Sequence, residues 1–246
     1  MPMMTMMILL VCVYFACLIA ILFFYKRMNQ KIVIKVFAFT DLALFIAYII
    51  NDCYRFGSFQ FISLDQISPF MFTIVPLVLV TKNKAKDIIM NTVSLLSLGM
   101  LVAMLVSPME AFLGSYRKEA SLLYWLDTLL HLNCSLFGTY LFISGMVKLK
   151  YKSLFKGAGL LYSVIILGVT LNFIHHKNYF GMGYYSNYGI YMIRIFETYW
   201  ATLAAYLLGV ALVLMLGFEY GLLLTKLNKA NSSKEEVNGD GQQIIK

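Results

Sequence analysis

Apolar residues along this chain come in blocks of about 20, the length of a helix that crosses a bilayer. They do not recur at the three-to-four-residue spacing of a half-buried helix. Seven blocks are predicted as spans, at 3–25, 32–50, 59–80, 88–107, 121–147, 157–176 and 198–218. A polar stretch rich in Lys, Ser, Asn and Glu follows at 226–246 and reads as a disordered cytoplasmic tail. The expected fold is an all-α polytopic transmembrane helical bundle over 1–225. The third block is the short one. Ser68-Pro69 reads as a helix start, with serine as cap and proline in the first turn. From there to Val80 a helix is only about 20 Å long at 1.5 Å per residue. Either that helix begins near Phe59, carries Asp65 and kinks at Pro69, or the segment is re-entrant. The fourth block is expected to stop at Pro108.

Composition agrees with the blocks. The chain is 61% hydrophobic and 13% charged, with mean hydropathy +0.77, whereas a soluble domain carries about twice that charged fraction. A formal charge of +8 would suit nucleic acid if the cations were clustered for it, but their positions say otherwise. Counted against seven spans, fifteen of the twenty basic residues fall on alternate connections: Lys26, Arg27, Lys31 and Lys35; Lys82, Lys84 and Lys86; Lys148, Lys150, Lys152 and Lys156; Lys226, Lys229, Lys234 and Lys246. Basic residues accumulate on cytoplasmic loops, so the N-terminus is expected outside and the C-terminus inside. The first block has Lys26-Arg27 behind it and no basic residue before it, the reverse of a secretory signal, and reads as a retained span. Membrane lipids, not nucleic acid, are the expected partners. The four cysteines, Cys12, Cys17, Cys53 and Cys134, form no CxxC pair, three of them lie inside apolar runs, and they read as buried thiols, not a disulfide framework.

Candidate chemistry gathers in the fifth block, around Tyr124-Trp125-Leu126-Asp127-Thr128-Leu129-Leu130-His131-Leu132-Asn133-Cys134. Asp127 and His131 are four apart and share a helix face. An ionisable pair in a bilayer must face protein or water. With the orientation above, Asp41, Asp65, Asp127, His131, Asn172, His175 and Glu197 fall in the outer half or near mid-depth. They are expected to line a polar binding cavity open to the outside and rimmed by the aromatic stretch 184–191. As catalytic candidates, His131 could act as base, Asp127 could orient it, and Cys134 lies a turn away. His131 and Cys134 would make half a zinc site, but nothing is spaced to complete it. No metal and no cofactor is read from the sequence. Phosphate loops, GxSxG and HExxH are absent. Small residues at four-residue spacing, Gly99, Ala103 and Ser107, then Ala201, Ala205 and Gly209, are read as intramolecular helix packing.

From about Phe72 to Phe218 the order of landmarks resembles the YwaF-like family of bacterial integral membrane proteins. The landmarks are Val75-Pro76-Leu77, the basic loop at Lys82–Lys86, Ser107-Pro108, mid-helix His131 and later Tyr140, a basic loop ending near Lys156, then Asn172, Asn178-Tyr179 and Met182. The resemblance implies a bacterial cytoplasmic membrane, and a distant similarity to a eukaryotic phospholipid acyltransferase that uses a cysteine and a histidine. At the positions where the pattern places histidine and cysteine this chain has Val78 and Val80. Only His131 carries over among the reactive landmarks, which implies that this member lacks the transferase chemistry. Three readings follow: a non-catalytic binder of lipid or a small amphiphile, an acyl-group enzyme with His131 as base, and a solute or proton-coupled transporter using Asp41, Asp127 and His131.

Overall fold

The computed structural model describes residues 3–56, 66–113, 122–175, 179–182 and 198–240. The described residues form α-helices and one 3₁₀ turn, with no strand among them. The helices are α1 (Met3–Phe24), α2 (Gln30–Phe56), α3 (Ile67–Leu77), α4 (Asn83–Leu113), α5 (Leu122–Ile143), α6 (Tyr151–His175) and α7 (Tyr199–Asp240). Among the described residues, four segments are long and apolar enough to cross a bilayer: Gln30–Tyr54, Asn83–Leu105, Tyr151–His175 and Tyr199–Leu227. Ile8–Phe24 and Ile67–Leu77 are shorter apolar helices. The architecture is a helical bundle and fits a membrane protein.

Local chemistry sets several boundaries. Asn29 caps α2, its Oδ1 accepting the Lys31 amide at 3.0 Å and the Ile32 amide at 3.4 Å. Thr198 caps α7 by accepting the Ala201 amide at 3.2 Å. Gly145, at φ 70°, ends α5 in the left-handed region that a side chain disfavours. Other boundaries differ from those read in the sequence. α4 does not stop at Pro108 but continues to Leu113; proline removes one ladder bond, which a helix packed among others tolerates. Residues 57–65, the proposed early start of α3, lie outside the described residues. Ser68 is not the cap of α3: that position is Gln66, whose side chain makes no capping bond. The last helix runs on past Phe218 and Lys226 to Asp240.

The core is a contact between two helices. On α5 every residue from Leu130 to Ile143 is buried, and on α4 every residue from Asn91 to Ser97. Missing side chains let the neighbours close on α4. A Cβ on Gly217 of α7 would stand 1.8 Å from the Leu95 carbonyl oxygen, and one on Gly138 of α5 would stand 2.6 Å from the Val93 oxygen. In lipid, where burial of apolar surface gives no drive between helices, such close packing is what holds them. Of the stripes noted in the sequence, Gly99 does face another helix, 3.1 Å from Val213 by the same measure, whereas Gly209 faces open space. α2 lies antiparallel against α5: the Gln30 amide at the start of one donates to the Ser144 carbonyl just beyond the end of the other, at 3.4 Å. Phe37 stacks on Phe137 with centroids 5.4 Å apart.

Candidate functional site

α5 carries Asp127, His131 and Asn133 among its leucines. Those groups need partners that lipid cannot supply, and the bundle supplies them from α2 and α3. His131 is held at both ring nitrogens. Nδ1 lies 2.8 Å from the Asp127 carbonyl oxygen and 3.5 Å from the Asp127 Oδ2. Nε2 lies 2.8 Å from the Ser68 hydroxyl in the first turn of α3. A carbonyl oxygen only accepts, so in the neutral imidazole Nδ1 carries the proton and Nε2 accepts from Ser68 Oγ–H. The Phe72 ring, one turn along α3, meets the imidazole edge-on at 5.0 Å. The imidazole is almost wholly buried, whereas the Asp127 side chain keeps 27% of its surface exposed.

Asp41 belongs to a second cluster. It is fully buried on α2, and its Oδ1 accepts from Asn133 Nδ2 at 3.2 Å and from the Cys134 thiol at 3.3 Å. Asn133 Nδ2 also donates to the Phe37 carbonyl at 3.1 Å, so this cluster fastens α2 to α5. The Cys134 thiol is thus committed to Asp41, while both nitrogens of His131 are committed elsewhere. A Cys134–His131 nucleophile pair does not form.

The other expected cavity residues separate. Asn172 clamps the turn after α6, accepting the Tyr179 amide at 2.6 Å and donating to the Tyr179 carbonyl at 3.0 Å. His175 is exposed at the end of α6. Asp65 and Glu197, and the aromatic stretch 184–191, lie outside the described residues. Val78 is fully buried and Val80 exposed, both in the turn after α3, about 15 Å from Ser68 at 1.5 Å per residue. Among the described residues, no three His, Cys, Asp or Glu side chains come together as a metal site.

Two features were not anticipated. Ser68 was read only as a helix start, and nothing local distinguishes a capping serine from one that reaches another helix. Asn91, Thr92, Ser94 and Ser97 of α4, none of them singled out in the sequence, are all buried. None of them is ionisable, and three bond back to their own helix: Asn91 Nδ2 to Asp87 O at 2.6 Å, Thr92 Oγ1 to Ile88 O at 3.0 Å and Ser97 Oγ to Ser94 O at 2.7 Å.

No protein-family model, no curated protein and no solved structure matches this chain.

Proposed function

We propose that the protein is a seven-span membrane protein of YwaF-like type that binds a lipid or small amphiphile in a polar site at the outer end of the bundle, without the family's cysteine chemistry. The observation that carries the reading is the His131–Asp127 pair, one member buried and the other partly open. A pair used only for packing gains nothing from an exposed carboxylate, whereas a binding site needs an accessible polar group beside apolar walls. The landmark order from Phe72 to Phe218 supports the family, and the lysine-bearing connections support a cytoplasmic C-terminus. Transport is the weaker reading, because the buried polar groups toward the lysine side are amides and hydroxyls without a titratable relay.

Lipid extracted from the purified protein is expected to be enriched in one class relative to the host membrane, and Asp127→Leu should lower that enrichment several-fold while the protein stays folded. A retained lipid profile identical to the membrane's own would refute binding. Orientation is checked separately, in a chain whose native cysteines are replaced by alanine. Cysteines placed at Ser58, Ser115 and Ser186 should react with an impermeant thiol reagent in intact cells, and one at Ser233 should not. Labelling at Ser233 alone would invert the topology.

A further inference from the structure

We infer that Ser68 is an ester-cleaving nucleophile, with His131 as its general base and Asp127 as the positioning residue. The inference rests on the binding reading above and adds chemistry to it. Three features of the geometry carry it. Ser68 Oγ lies 2.8 Å from His131 Nε2, within the reach a base needs to take the hydroxyl proton. The other ring nitrogen is anchored at 2.8 Å on a carbonyl oxygen that only accepts, which fixes the tautomer with Nε2 free to receive that proton. The Asp127 carboxylate, 3.5 Å from Nδ1, is near enough to favour the imidazolium that forms when the proton arrives. Nucleophile, base and orienting group thus follow one another in the order that hydrolytic triads share on unrelated folds. Ser68 also stands in the first turn of α3, where the Ile67 and Ser68 amides precede the first helical bond, from Phe70 N to Gln66 O at 3.3 Å, Pro69 has no N–H, and the Gln66 side chain makes no cap. Amides so placed suit the oxyanion of a tetrahedral intermediate.

The step balances with water as the co-reactant. Ser68 Oγ bonds to the acyl carbon as its proton passes to His131 Nε2. The carbon–oxygen bond to the alcohol breaks, and the alcohol leaves with that proton. Water then attacks the acyl-serine, giving its proton to His131, and the carboxylic acid departs as Ser68 recovers its hydrogen. The substrate class is a carboxylic ester with an apolar acyl chain. The Phe72 ring against the imidazole, and a bundle whose outer helices turn apolar side chains outward, favour a chain that enters from the bilayer.

The test is covalent labelling of the purified full-length protein with alkyl fluorophosphonates, read by intact mass and by peptide mapping. One adduct is expected, on Ser68 and not on Cys134, and a hexadecyl probe should react at least tenfold faster than an ethyl one. His131→Gln can still bond Ser68 but cannot take its proton, and should slow labelling by about 100-fold or more with the melting temperature retained. Asp127→Asn should lower the maximal labelling rate by a larger factor than it raises the half-saturating probe concentration, a split that loss of binding alone would not produce. Folded wild-type protein without a Ser68 adduct, equal rates for wild type and His131→Gln, or equal rates for the two probes would each overturn the inference. Retention of lipid together with no adduct would overturn it and leave the binding reading standing.

Discussion

α1 and α5 are both 22 residues long and face opposite worlds. α1 is apolar on every side and leaves Ile8, Phe15, Ile19 and Phe23 about half or more exposed. α5, with an acid, a histidine and an asparagine, is buried at every position from Leu130 to Ile143. In a water-soluble bundle the ranking would be the other way round, since apolar surface drives burial there. In a bilayer an exposed helix can be the most apolar, and a helix that cannot face lipid is drawn to the centre.

The strongest way to break that comparison is at the close approach that seals the core. Gly217→Val would drive a side chain into the Leu95 carbonyl and should cost more than about 3 kcal/mol, leaving no monodisperse protein after extraction. Gly209→Ala, on the same helix but facing open space, should be neutral or slightly stabilising, within about 1 kcal/mol. Equal behaviour of the two variants in thermal unfolding would refute the packing described.

A smaller effect separates the partners of His131. Coupling energies between side chains in such bundles are about 1–2 kcal/mol. Double-mutant cycles should give that value for Ser68 with His131, whose side chains are in direct contact. They should give clearly less for Asp127 with His131, because the shorter bond there is to the backbone carbonyl, which Asp127→Asn leaves in place. The reverse order would mean that the carboxylate, not the serine, holds the ring.

The smallest effect is expected outside the core. Lys156 and Asp87 pair between the starts of α6 and α4 with both side chains more than a third exposed. Lys156→Ala should change stability by less than about 1 kcal/mol, and the difference should shrink further in molar salt.

The helical bundle and the central place of α5 were legible because chain length per apolar block and the siting of charge are local properties. The adjacency of Asp127 and His131 was legible for the same reason, a spacing of four on one helix. The Ser68 contact was not, since it joins residues 63 apart in sequence and a serine before proline carries the same local signal as a cap. Gly138 was passed over because it belongs to no run of small residues at four-residue spacing, and Gly217 was missed although it stands four residues before Gly221, in the register of the 201–209 stripe. What distinguishes them is the carbonyl oxygen opposite, and that lies on another helix. Asn172 was read as a cavity residue, but its amide matches a turn whose backbone the sequence does not reveal. Pro108 was read as a stop, although tertiary neighbours can carry a helix across a missing bond.

One small hydroxyl chain has a bearing on biosynthesis. Tyr220 of α7 stands 3.0 Å from the Tyr14 hydroxyl of α1 and 3.2 Å from Thr139 Oγ1 of α5. A ribosome delivers α1 before any other helix of this sequence and α7 after all the rest. Until the last helix arrives, Tyr14 and Thr139 lack that partner, inside a bilayer that offers no other. The packing of α1 on α4 and α5 can form earlier, but its hydroxyl contact with Tyr220 closes only when α7 arrives. A chain arrested after α6 should remain extractable but protease-sensitive, and an insertase or chaperone that shields hydroxyls in the membrane would find its target in that interval.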